Sequence, residues 1–233
     1  MHTKQEAGEH PQRSNVFDNL RQRMVQHQLR RRDIADERVL QAMGMVPREE
    51  FVSESERGNA YDDCPLPIGF GQTISQPYTV AFQCEALQLQ GNERVLEVGT
   101  GSGYAAAVLS RLAKEVYTVE RIPELAAQAG ATLSRLGYAN VHVFAADGTL
   151  GLPAHAPFDG IVVTAGGAEL PKPFLEQLAM RGRIVIPIGK HLYGQAMYRF
   201  TKLPEELRAE NLGGFAFVPL IGRYGWDESA SSD

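Results

Sequence analysis

Cysteine is nearly absent from these 233 residues, and the two present, Cys64 and Cys84, stand in neither a C-x-x-C nor a metal-ligand spacing. Two reduced thiols are therefore expected in preference to a disulfide. The six histidines are scattered, with no H-x-x-x-H pair and no His/Asp cluster, so no metal is expected. No apolar stretch reaches the length of a membrane span, and the N-terminus lacks the charged-then-apolar run of a secretory signal. These absences make a cytoplasmic protein, not associated with membranes, the expectation. Basic charge is scarce as well. The net charge is −5, and the nearest approach to a basic block, Arg30-Arg31-Arg32, reads as the solvated end of a helix, so nucleic acid is not expected as a partner. The remainder is ordinary for a soluble globular chain, with 43% hydrophobic and 22% charged residues. Its length allows one large domain or two small ones and a sizeable core.

The stretch that organises the chain is 94–104, Arg-Val-Leu-Glu-Val-Gly-Thr-Gly-Ser-Gly-Tyr. Val95, Leu96 and Val98 form a short apolar run that predicts a buried strand, and Tyr104 to Leu112 has helical composition. Between them lies a Gly-x-Gly-x-Gly turn at Gly99, Gly101 and Gly103. Strand, glycine turn and helix in that order build a nucleotide site at the carboxyl end of a parallel strand, where a backbone without Cβ atoms admits a ligand closely. Glu120 ends the next apolar run, where its carboxylate can accept both hydroxyls of a ribose.

Taken in order, residues 1–15 are polar and predict a loose tail. Leu20, Met24 and Leu29 suggest an amphipathic helix over 16–31; Val39, Leu40 and Met43 suggest a second, ended near Gly44; Pro47 opens a short third turn at 48–52. Residues 58–77 lose periodicity and read as a long loop, a kind more often functional than idle. Pro77 then starts a helix with an apolar stripe of Val80, Ala81, Cys84 and Leu87. Strands are expected at 94–99, 115–120, 141–146, 159–165 and 183–188, and helices at 103–113, 123–136 and 171–180. This alternation predicts an α/β fold with a doubly wound, mostly parallel sheet. Two further strands, near 196–201 and 215–220 and joined by the polar stretch 202–214, predict an antiparallel C-terminal end. The N-terminal helices read as a cover over one edge of that sheet, not as an independent domain.

Two ligand classes fit the turn. Gly101, Gly103 and Ala106 can be forced into a dinucleotide G-x-G-x-x-A pattern, which would make the protein a dehydrogenase. No second mononucleotide half is visible to support it. The form E-x-G-x-G-x-G, at Glu97, Gly99, Gly101 and Gly103, resembles motif I of the class I S-adenosylmethionine-dependent methyltransferases, whose sheet is Rossmann-like. The third strand's ending at Asp147-Gly148, with a carboxylate that can accept the adenine amino group, favours the second class, as does Pro157-Phe158-Asp159 opening the fourth. Taken singly, each feature has a plainer reading: Glu120 a solvated strand end, Asp147-Gly148 a turn dipeptide.

The loop before the motif narrows the family further. Residues 66–77, L-P-I-G-F-G-Q-T-I-S-Q-P, closely resemble the signature of the protein-L-isoaspartate (D-aspartate) O-methyltransferases. The likeness also runs through V-P-R-E-E-F-V at 46–52, the glycine motif, V-E-R at 119–121, P-I-G at 187–189 and F-V-P-L at 217–220, and so covers about 16–221. What the resemblance implies is methyl transfer from S-adenosylmethionine to the free α-carboxyl of L-isoaspartyl residues in damaged proteins and peptides. The ester then closes to a succinimide whose hydrolysis restores some normal linkages. By the same resemblance Ser75 is the active-site serine, Thr73, Ile74 and Ser75 line the meeting point of cofactor and substrate, and Glu97, Gly99, Thr100, Gly101, Ser102, Gly103, Glu120, Asp147 and Gly148 hold the cofactor. From spacing alone Ser75 reads instead as a capping hydroxyl before Pro77. The expected organisation is a single domain over 16–226, with 16–93 as helical cover and substrate loop, 94–226 as cofactor-binding sheet, and a tail at 227–233. A monomer is expected. The helical cover and the 202–214 stretch are candidate walls of a peptide groove. One departure from the family pattern is Gly166-Gly167 after the fourth strand, which reads as a permissive loop that would alter substrate range and is the only support for an alternative, a methyltransferase of a small-molecule acceptor.

Overall fold

The computed structural model describes residues 11–190 and 194–227, and the first of these residues opens a helix. Helix α1 (Pro11–Met24) runs into a wider π-helical turn at Val25–Leu29 and a 3-10 turn at Arg30–Arg32. Residues 11–15, expected to belong to a loose tail, are thus helical, Pro11 being preset for a first helical turn; residues 1–10 and 228–233 lie outside the described residues. Helix α2 (Glu37–Met45) is capped by Asp36, whose side chain accepts from the Arg38 N–H at 2.8 Å. A 3-10 turn at Arg48–Phe51 follows. The long loop contains an antiparallel hairpin, β1 (Leu66–Gly69) and β2 (Gln72–Ile74), which leads straight into α3 (Pro77–Leu87).

The main sheet has seven strands: β3 (Arg94–Val98), β4 (Glu115–Glu120), β5 (Val141–Ala145), β6 (Phe158–Val163), β7 (Leu178–Ile188), β8 (Gln195–Lys202) and β9 (Leu207–Phe215), in the spatial order β5-β4-β3-β6-β7-β8-β9. The first five of that row are parallel and the last two antiparallel. Helices α4 (Tyr104–Leu109) and α5 (Pro123–Arg135) connect β3 to β4 and β4 to β5, and α6 (Lys172–Gln177) precedes β7.

The central strand β3 is buried on both faces, and its side chains alternate between them with the period of the pleat. Val95 packs into a cluster with α1 to α4, while Leu96 and Val98 join Phe158, Ile161, Ile184 and Ile186 on the opposite face. Each such side chain contributes about 1.5–3 kcal/mol by leaving water. The helical cover therefore lies over one face of the sheet, built into its core, instead of over an edge.

Two expected elements are displaced. The helix expected over 171–180 ends at Gln177, because Leu178 already pairs with Phe158 in β7. The register then slips before Gly160 meets Arg183, with Arg181 at φ +66° in the irregular stretch. The last strand is Leu207–Phe215, inside the stretch expected to be a connector, and not 215–220. Its polarity reflects an edge position that is solvated; Arg199 pairs with Glu210 through two contacts of 2.9 Å across β8 and β9. Cys64 and Cys84 are free thiols, and burial pushes the Cys84 thiol far up.

Candidate functional site

The carboxyl ends of β3, β4, β5 and β6 open on one edge of the sheet, and a cleft lies over them. Its floor is the turn after β3. Gly99, Gly101 and Gly103 all take positive φ, at 98°, 53° and 88°. The Gly99 N–H donates to the Val119 carbonyl at 2.9 Å, and Thr164 Oγ1 donates to the Gly99 carbonyl at 2.7 Å. A Cβ on residue 99 would overlap that Thr164 oxygen. Gly103 caps α4, and a Cβ there would meet Leu133 at 3.1 and 3.3 Å and Ala129 Cβ at 3.4 Å.

Glu120 holds the turn from the side. One carboxylate oxygen accepts from the Gly101 N–H at 2.9 Å, the other from the Ile122 N–H at 3.0 Å. The side chain is buried but lines the cleft, and each oxygen keeps a second lone pair. Nine of the residues proposed from sequence line the cleft together: Thr73, Ile74, Ser75, Gly99, Thr100, Gly101, Ser102, Glu120 and Gly148.

Three others do not reach its surface. Gly103 lies beneath, at the start of α4. Asp147 receives the Thr149 N–H and hydroxyl on one oxygen (2.9 and 2.7 Å) and the Arg223 N–H on the other (2.9 Å). It lines an adjoining hollow with Arg121, Ile221, Gly222 and Trp226. Glu97 lies behind the turn, fully buried. Thr118 Oγ1 donates to its Oε2 at 2.5 Å, and Thr100 Oγ1 in turn stands 2.6 Å from Thr118 Oγ1.

Burial pushes the Glu97 carboxyl up to about 8; the Thr118 hydroxyl opposes this and the Glu120 charge adds to it. The unfolded chain loses this proton near its ordinary value of 4.5, so between there and about 8 the folded state alone retains it. The contribution to stability is full at the acid end of this window and is lost as pH rises through about 8. Glu97→Gln is expected to flatten that slope, which urea unfolding midpoints at both ends of the window measure. An unchanged slope in the variant would assign it to another group.

Ser75 is half-buried, and its hydroxyl makes no hydrogen bond to any described residue; α3 has no side-chain cap at its N-terminus. The capping role suggested by spacing is therefore not the one Ser75 plays. Thr73 and Ser75 line both the cleft and an adjoining outer groove, whose walls are Pro65 and Phe70 of the hairpin region on one side and residues 216–219 on the other. Of the helical cover only α3 contributes to this groove, through Thr79, and the 202–214 stretch does not line it.

Several lining residues escape the sequence reading: Gln83, Thr164, Arg121 and the run Val218 to Ile221. The F-V-P-L likeness at 217–220 and, for Arg121, the V-E-R likeness at 119–121 are their sequence signals. Gly166-Gly167 proves to be a fixed joint and not a permissive loop. The Gly166 N–H donates to the Val218 carbonyl at 2.8 Å, and the Gly166 carbonyl accepts from the Leu220 N–H at 2.8 Å and Trp226 Nε1 at 2.9 Å. A Cβ on Gly166 would stand 2.8 Å from Gln195 Cδ. These glycines carry the segment that walls the site without lining either cavity.

Comparison with known proteins agrees with this geometry. Residues 19–225 match the family described as protein-L-isoaspartate(D-aspartate) O-methyltransferase. Protein-L-isoaspartate O-methyltransferase 1 of Syntrophobacter fumaroxidans is 53% identical over 91% of this chain and 98% of its own length. Protein-L-isoaspartate O-methyltransferase 2 of Marinobacter nauticus is 56% identical over 90% and 96%. Among solved structures, a protein-L-isoaspartate O-methyltransferase superposes with a TM-score of 0.79 at 31% identity, over 88% of this chain and 67% of that one. A Plasmodium falciparum structure described as a protein-L-isoaspartate O-methyltransferase in complex with S-adenosyl-L-homocysteine gives 0.74 at 26%, over 86% and 98%. A match across nearly the whole chain, joined to a glycine turn, a strand-end acid and the T-I-S-Q-P loop around one cleft, places the chain in the protein-L-isoaspartate O-methyltransferase family.

Proposed function

We propose that the protein transfers a methyl group from S-adenosylmethionine to the free α-carboxylate of isoaspartyl residues, with the donor in the inner cleft and the peptide in the outer groove. The observation that carries this reading is that Thr73 and Ser75 line both cavities, so a donor and an acceptor would meet there. The residues suit the donor: the turn at 99–103 leaves its backbone open, and Glu120 offers a lone pair on each oxygen toward ribose hydroxyls. Bound there, the donor supplies a methyl group already activated by its sulfonium.

The chain's own residues have a modest task. The acceptor carboxylate is ionised at neutral pH, so no general base is required. Among the described residues, those lining the two cavities include no histidine, lysine or cysteine. Ser75, with its hydroxyl uncommitted, donates a hydrogen bond that orients the carboxylate; it is not a nucleophile. The apolar walls, Phe70, Phe217, Val218 and Pro219, keep water from the reacting charges. Holding the partners in line supplies up to roughly 7–11 kcal/mol of the barrier in favourable cases. The small-molecule alternative loses its support, since Gly166-Gly167 is a joint behind the wall.

Labelled donor offered to paired peptides differing only in an isoaspartyl or aspartyl linkage tests the reaction, and base-labile label on the isoaspartyl peptide alone is expected. Ser75→Ala is expected to lower kcat/KM for that peptide about 10- to 100-fold, the worth of one hydrogen bond to a charged group. Affinity for S-adenosylhomocysteine, measured by calorimetry, should stay within about threefold, as the backbone of the turn is untouched. A variant with full activity would remove Ser75 from the mechanism.

A further inference from the structure

Beneath the substrate loop lies a charge that the reaction as described does not use. Arg48 is 0% exposed and is the largest fully buried side chain among the described residues. Burial pushes its guanidinium pKa down, yet arginine remains a cation at neutral pH. Two of its three nitrogens donate to carbonyls, Nε to Ala60 at 2.7 Å and Nη2 to Ser75 at 2.8 Å, while the buried Nη1 has no hydrogen-bond partner among the described residues. Its guanidinium carbon also stands 4.7 Å from the ring centroid of Tyr104, the residue that follows the glycine turn and itself lines the inner cleft. One planar cation thus touches the backbone of Ser75 on one side and the start of α4 on the other.

Arg48 is in turn braced from behind. The Arg48 N–H donates to the Tyr61 hydroxyl oxygen at 3.2 Å, and Arg21 Nε donates to the same oxygen at 2.8 Å. The Tyr61 hydroxyl donates to Glu49, whose other oxygen accepts from Arg21 Nη2 at 3.0 Å. The network runs from α1 through the 48–51 turn to the Ser75 carbonyl. Taking this much charge out of water is costly and adds little net stability, so a role in placement accounts for it better than a role in holding the core.

Ser75 needs such placement. Its hydroxyl has no described partner and α3 has no capping side chain, so the pose of Ser75 is set through its backbone, which Arg48 grips with a charge-assisted bond. We propose that Arg48 is a positioning residue for methyl transfer, fixing the Ser75 peptide unit relative to the glycine turn so that acceptor and donor align. This rests on the reading of Ser75 given above. A lysine keeps the charge but loses the fork that reaches Ala60, Ser75 and Tyr104 together.

The test is a double-mutant cycle of Arg48→Lys and Ser75→Ala, read as kcat/KM for an isoaspartyl peptide, affinity for S-adenosylhomocysteine and thermal midpoint. Arg48→Lys alone is expected to lower kcat/KM about 100-fold, the scale of an ångström of misplacement. Cofactor affinity should change less than about threefold. In the Ser75→Ala background the same substitution should cost at most about threefold, because the group it places is gone. Additive losses, or peptide and cofactor terms falling together, would overturn the proposal and leave Arg48 a structural residue. Should Arg48→Lys fail to fold, Tyr61→Phe enters the same cycle with a smaller expected loss and the same non-additivity. Full activity of Ser75→Ala alone would refute both Ser75 and Arg48, whereas label on the wild-type isoaspartyl peptide would still establish the reaction.

Discussion

Gly99→Ala is expected to destabilise the protein by about 2–4 kcal/mol and to weaken cofactor affinity at least 100-fold. Residue 99 sits at φ +98°, and a non-glycine residue in such a region costs about 1–3 kcal/mol. The remaining cost comes from Thr164, whose Oγ1 the new methyl group would overlap. That oxygen does not yield freely, being 2.7 Å from the Gly99 carbonyl and 3.1 Å from the Val98 carbonyl. Nor does the backbone, since the N–H groups of Gly99 and Thr100 both point at the Val119 carbonyl, at 2.9 and 3.3 Å. The turn must shift into the cleft it lines. Urea unfolding and calorimetric titration with S-adenosylhomocysteine measure the two effects. Adding Thr164→Ala should return part of the stability but little of the affinity, because the overlap is relieved while the φ is not. Gly103→Ala offers a contrast: at a similar φ of 88°, its Cβ would meet Leu133 at 3.1 and 3.3 Å and Ala129 Cβ at 3.4 Å, close contacts without the overlap found at 99. Equal losses at 99 and 103 would mean that the Thr164 contact is not what matters.

What was legible in the sequence divides along the same physical line. Val95, Leu96 and Val98 are buried on both faces of a central parallel strand, so their apolar run announces itself without knowledge of neighbours. The glycine turn and Glu120 are legible for a similar reason, as local backbone demands leave local residues. Leu207–Phe215 was hidden because an edge strand in water carries Arg208 and Glu210 like any loop. Thr164 and the run 218–221 reach the cleft only through tertiary contacts, 164 by closing on Gly99 and 218–220 by pairing with Gly166. Gly166-Gly167 misled for the converse reason: two adjacent glycines suggest freedom, but here the missing Cβ makes room for Gln195 and brings two segments together. Ser75 could be placed on the loop, yet the absence of a cap on α3 and the bond from Arg48 to its carbonyl are facts of packing alone.

Glu120→Gln is expected to behave almost as badly as Glu120→Ala, each weakening S-adenosylhomocysteine affinity about 100-fold. The near-isosteric amide looks harmless only if the side chain has one partner. It has two, the N–H groups of Gly101 and Ile122, one on each oxygen. A carboxylate accepts at both ends, whereas a glutamine that serves one N–H turns its own NH₂ group toward the other. Each charge-assisted bond is worth about 1.5–3 kcal/mol, and a buried donor left unpaired costs about 1–3 kcal/mol. The amide also forfeits one of the two oxygens proposed to hold the ribose. Losing Gly101 frees the middle of the turn that forms the cleft floor, so cofactor affinity and turn order fall together. Hydrogen exchange of the Gly101 and Ile122 amides, followed beside the titration, separates the two: both should lose protection in Glu120→Ala, and at least one in Glu120→Gln. Wild-type affinity in Glu120→Gln would show that a single acceptor suffices and that the carboxylate is not what recognises the donor.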